Sequence, residues 1–69
     1  MARYLVIIEK AGKNFSAYSP DVDGVYATGD TREETRREMT LAIKNHLKWL
    51  RESGDPIPKP SASTFRVAI

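Results

Sequence analysis

The run Tyr4-Leu5-Val6-Ile7-Ile8 limits what this chain can fold into more than any other feature. It is apolar throughout and rich in β-branched side chains, so it reads as a strand that buries both of its faces. Such a strand belongs in the interior of a sheet. The chain has 69 residues, which predicts one domain over 1–69. At that size folding is marginal: ordering costs about 1.5 kcal/mol per residue, and burial must offset roughly 100 kcal/mol. There is no cysteine and only one histidine, His46. Neither a disulfide nor a thiolate or histidine zinc site can staple the fold. Small domains without staples often gain stability by associating.

The rest of the chain supplies few elements to cover that strand. Ala11-Gly12-Lys13-Asn14 carries turn chemistry, so Phe15–Ser19 is expected to return as the second strand of a hairpin. Pro20–Gly24 reads as a loop and Val25–Thr28 as a third strand. A helix then starts at Asp30 or Thr31, each an N-cap type followed three residues on by Glu33 or Glu34. It runs to Ser53 and stops at Gly54, a residue suited to the left-handed position past a helix end. Pro56 forbids continuation. Asp55–Pro60 alternates proline with other residues and reads as a stiff extended strap, or alternatively as a proline-recognition ligand. Thr64–Ile69 places Phe65, Val67 and Ile69 on one face, which predicts a fourth strand.

These elements predict a two-layer α+β fold, β-β-β-α-β. Two antiparallel links followed by a right-handed crossover give a four-stranded mixed sheet of order 3-2-1-4. One helix covers one face of it. Strand one offers Leu5 and Ile7 to one side and Tyr4, Val6 and Ile8 to the other. An apolar face therefore lacks a cover, and exposed patches of several hundred Å² are unusual on a monomer. Tyr4, Val6 and Ile8 are the expected oligomer face, closed by a second copy or a partner protein.

At 100° per residue the helix presents Thr35, Met39, Ala42, Ile43, His46, Leu47 and Leu50 to the core. His46 reads as a partly buried ring rather than an acid–base group, since a lone histidine makes no catalytic constellation. Arg32 and Arg36 border the stripe, where their stems can cover apolar surface. On the opposite face Arg37, Lys44, Lys48 and Arg51 form a basic stripe. It is either a phosphate-facing surface or a solvated face without the aromatic platform that nucleic-acid binding usually adds. Leu41, Asn45 and Trp49 follow at spacing four. Exposed, they read as ordinary surface residues or as a protein-binding anchor.

Catalysis finds little to work with. Asp21 and Asp23 fall in the expected loop, Asp30 has a capping role, and Glu9 ends the first strand. Two-metal nucleases need several carboxylates converging on one point. No phosphate-cradling glycine loop or serine–histidine–aspartate set can be assembled. The chain is read as a non-enzyme that needs no cofactor or metal. Net charge is only +2, well short of a nucleic-acid-binding tail. The apolar run at the start is too short for a leader, and nothing approaches a membrane span. The expected compartment is the cytoplasm.

The stretch Ser19–Glu34 closely resembles one family, the HicB-like antitoxins. Pro20, Asp21, Gly24, Gly29, Asp30, Thr31, Glu33 and Glu34 match its turn, its Gly-Asp-Thr and its Glu-Glu helix start. Asp23 stands where a proline is usual, and Val25 where a cysteine is frequent. The resemblance extends from Tyr4 to the strap near Pro60. It implies a partial ribonuclease-H-like sheet and an antitoxin role. The expected partner is a small HicA-type toxin that cleaves messenger RNA, blocked by covering its active surface. It also implies a short member, ending at Ile69 without the DNA-binding extension many members carry. A nucleic-acid-binding module, or a solitary member with another regulatory role, remains the alternative reading.

Overall fold

The computed structural model describes residues 2–69. Three strands form one antiparallel sheet in the order β1-β2-β3: β1 is Ile7–Ala11, β2 is Asn14–Ser19 and β3 is Val22–Gly29. A single helix, α1, spans Arg32–Ser53 and packs on one face of it. The fold is α+β, as the sequence implies. Among the described residues the fourth strand and the ribonuclease-H-like order 3-2-1-4 are not found. Residues 55–69 have no regular structure, and Phe65, Val67 and Ile69 are exposed. β1 is consequently an edge strand rather than an interior one.

The first strand also begins later than its composition suggests. The ladder grows outward from the Gly12 turn, pairing Ala11 with Asn14 and Ile7 with Tyr18. Beyond Tyr18 the next strand bulges and then meets Pro20, which has no N–H to donate. Tyr4–Val6 therefore run past the end of the ladder, although Tyr4, Val6 and Ile8 still pack against the core.

The loop expected over 20–24 is a tight turn instead. The Ser19 hydroxyl accepts a hydrogen bond from the Asp21 amide at 3.2 Å, and β3 starts immediately at Val22. β2 pairs Ser19 with Val22 but Tyr18 with Tyr26. Residues 23–25 thus have no counterpart, and this bulge turns both Val22 and Val25 into the core.

Helix limits follow their caps. Of the two candidate starts, Thr31 is the N-cap: its hydroxyl accepts from the Glu34 amide at 3.0 Å. Gly54 ends the helix at φ 75°, and the amides of Gly54 and Asp55 close on the Arg51 and Leu50 carbonyls. The core is Ala17, Val22, Val25, Met39 and Ile43, with Thr35 fully buried beside it. Thr35 crosses directly over Gly29. A Cβ there would stand 2.7 Å from its Oγ1 and 2.9 Å from its backbone nitrogen. No helix among the described residues is long and apolar enough to cross a membrane.

Candidate functional site

The helix lies across β3 and β2 and touches β1 least. This offset leaves the flank beside β1 open. A groove of about 440 Å³ runs there, walled by Tyr4, Val6, Ile43, Leu47 and Ile57 and rimmed by Lys44 and Arg51. A second recess of about 410 Å³ extends it past Ile8 to Met39 and Thr40. Tyr4, Val6 and Ile8 thus lie on the helix side of the sheet, half-covered by their own chain. The face turned away from the helix carries the cross-strand row Ile7, Tyr18 and Tyr26, of which both tyrosines are exposed.

One end of the groove is closed by the proline strap. The Tyr4 hydroxyl donates to the Pro58 carbonyl at 2.6 Å. The strap then reaches the β2–β3 turn. There Asp21 Oδ1 accepts from the Ser61 amide at 3.1 Å, the Ala62 amide at 3.0 Å and the Ser61 hydroxyl at 3.4 Å. Asp21 Oδ2 is shielded from solvent without a well-formed hydrogen bond. The Ser61 amide, followed by the Ala62 and Leu5 amides and the Ser61 hydroxyl, holds this carboxyl below its ordinary value of 3.8 against the opposing effect of desolvation. Asp21 is a structural anchor. Its role could have been sought in the sequence only through the run of donors, Ser61-Ala62-Ser63, that follows the last proline.

On the outer surface of α1, Leu41 is 55% and Trp49 58% exposed, with Asn45 exposed between them. The Trp49 ring lies 6.0 Å from that of half-buried His46, tilted by 36°, which gives the indole a fixed neighbour. Arg37, Lys44, Lys48 and Arg51 are all exposed. Lys44 and Arg51 rim the groove, while Arg37 lies with Glu33 and Leu41 around a separate shallow recess. Arg32, on the border of the core stripe, sets its guanidinium 4.9 Å over the Phe15 ring.

The carboxylates weighed for catalysis serve other positions. Asp21 holds the strap, Asp23 sits in the bulge of β3, Asp30 precedes the N-cap, and Glu9 is exposed on β1. Among the described residues, no three His, Cys, Asp or Glu side chains are placed to share a metal ion. The surface carries an apolar groove with a basic rim, and a helix face with one large aromatic.

Comparison with known proteins gives this geometry a setting. The family described as "HicB_like antitoxin of bacterial toxin-antitoxin system" matches residues 4–67. A UPF0150 protein of Synechocystis sp. is 33% identical over 57 residues, covering 81% of this chain and 72% of that protein. An uncharacterized 14.9 kDa protein from the rep-hol intergenic region of Haemophilus phage HP1 is 32% identical over 56 residues, covering 81% of this chain. The match spans only 42% of the phage protein's length. No solved structure matches significantly.

Proposed function

Because this chain belongs to the HicB-like antitoxins of bacterial toxin–antitoxin systems, we propose that it neutralises a HicA-type, messenger-RNA-cleaving toxin by covering that protein's active surface. The observation that carries the reading is the exposed Leu41–Asn45–Trp49 row on a long, well-capped helix. A tryptophan held against a neighbouring ring on a rigid element loses little freedom when it docks, so its burial is available for affinity. The inhibitor then works by occupying space in the cytoplasm. It needs no reactive group and no cofactor. Tyr4, Val6 and Ile8 are the face through which copies associate.

The test is co-expression with a small basic protein, should an adjacent reading frame encode one. Co-purification of the pair, with recovery of growth in cells making that toxin, supports the proposal. Failure to bind and failure to rescue would remove it.

A second reading rests on the four exposed cations of α1. If Arg37, Lys44, Lys48 and Arg51 face phosphates, binding to RNA falls steeply as salt rises. No retention on RNA at low salt eliminates it.

A further inference from the structure

The C-terminal segment leaves the body of the molecule in a conformation that a solitary subunit has no use for. Phe65, Val67 and Ile69 alternate along it and are all exposed, Phe65 at 84% and Val67 at 66%. The chain is correspondingly drawn out, with a radius of gyration of 13.2 Å, where a compact chain of this length has about 11 Å. Three large apolar side chains at every second position are the pattern of a strand with one buried face. Nothing in their own subunit buries them.

A site with matching properties lies elsewhere on the molecule. β1 has no neighbour on its outer edge, and unpaired edges accept further strands. Tyr4, Val6 and Ile8 offer an alternating apolar row on the helix side of that edge, at the floor of the open groove. Six residues, 64–69, extend about 20 Å, which matches most of the edge from Tyr4 to Lys10.

In its own subunit the segment passes this site without pairing with it. Pro58 passes Tyr4 at the mouth of the groove. Ser61 and Ala62 are then tied to Asp21 at the β2–β3 turn, whose carboxylate also faces the Leu5 amide. Pro56, Pro58 and Pro60 stiffen the connection against doubling back. A stiff connection that holds the segment off its own edge favours exchange between identical chains.

We propose that two copies of this chain exchange residues Thr64–Ile69, each segment adding as a strand to the free edge of the other copy's β1 and closing its groove. The arrangement is self-complementary, so one two-fold axis satisfies both edges and both segments. It does not depend on the identity of any toxin.

Since the chain has no cysteine, the proposal can be tested by placing single ones. Val6→Cys and Val67→Cys are made as separate variants, mixed, and treated with a short bis-maleimide. The expected product is a covalent dimer containing one chain of each kind. Phe65→Ser combined with Val67→Ser should weaken dimerisation by at least about tenfold in sedimentation equilibrium. The thermal unfolding of the monomer should stay unchanged, because both residues are exposed there. Three results would each overturn the proposal. One is a dimer of undiminished affinity in the Ser variant. Another is closure within single chains when both cysteines are carried together. The third is a chain that remains monomeric at high micromolar concentration with no cross-linking on mixing.

Discussion

The carboxylate of Asp21 accepts a hydrogen bond from the backbone of Ser61, 40 residues further along, at 3.1 Å. That contact ties the segment after the helix to the turn between the second and third strands. Asp21→Asn keeps the shape of the side chain and removes its charge, which charge-assisted hydrogen bonds depend on. Amide exchange at Ser61 and Ala62 should then accelerate by about tenfold or more, with the helix amides unaffected.

The same contact predicts a pH dependence of definite sign. Asp21 is held below its ordinary value of 3.8 by the Ser61 amide first, and by the other donors after it. A carboxyl with a depressed value in the folded state contributes stability above its unfolded value and loses it as pH falls through the folded one. Strap protection should be constant above about pH 5 and decline as pH falls below 4. Nuclear magnetic resonance of the Ser61 and Ala62 amides would follow the loss. In Asp21→Asn, the decline at this site should vanish.

Thr31→Ala removes the hydroxyl that accepts from the Glu34 amide. The expected cost is about 1 kcal/mol, or roughly 4–8 °C in a thermal melt of so small a domain. Thr31→Ser restores the acceptor and should recover most of the difference.

Gly29→Ala should be more damaging than its exposure suggests. The added methyl would meet the Thr35 hydroxyl at 2.7 Å and the Thr35 nitrogen at 2.9 Å, and a backbone atom has no rotamer by which to yield. Overpacking of this kind costs about 1–3 kcal/mol. Denaturant titration should also show that Thr35→Ser, which keeps the hydroxyl, does not rescue it.

Trp49→Ala is expected to leave the fold intact, since the indole is 58% exposed. If the helix row is the toxin-binding anchor, affinity in a titration with purified toxin should fall by about 2 kcal/mol or more, some thirtyfold. Lys48→Ala beside it, tested in the same way, should change affinity little.

Most of the architecture was legible in the chain because its signals are local. Thr31, Glu34, Gly54 and Pro56 bracket the helix through contacts within a turn of each end. Gly12 sets the first hairpin in the same way. The errors are those of long range. The run Tyr4–Ile8 is apolar enough for an interior strand, but among the described residues no further strand pairs with β1, so it is an edge. Phe65–Ile69 had the periodicity of a strand, and periodicity does not say whose sheet the strand joins. In the sequence Asp21 reads only as one of several carboxylates, placed in a loop. Its partner Ser61 is marked only by the donor run after the last proline, which does not by itself point to Asp21.

The placement of the helix over the second and third strands has a bearing on how the chain finds its shape. Those three elements are consecutive, covering 14–53, so the tightest part of the molecule assembles from one uninterrupted stretch with short loops to close. Contacts of low sequence separation form fast. The first strand, held chiefly by its hairpin partner, joins afterwards. Substitutions at Met39 should slow folding, while those at Ile7 should mainly hasten unfolding.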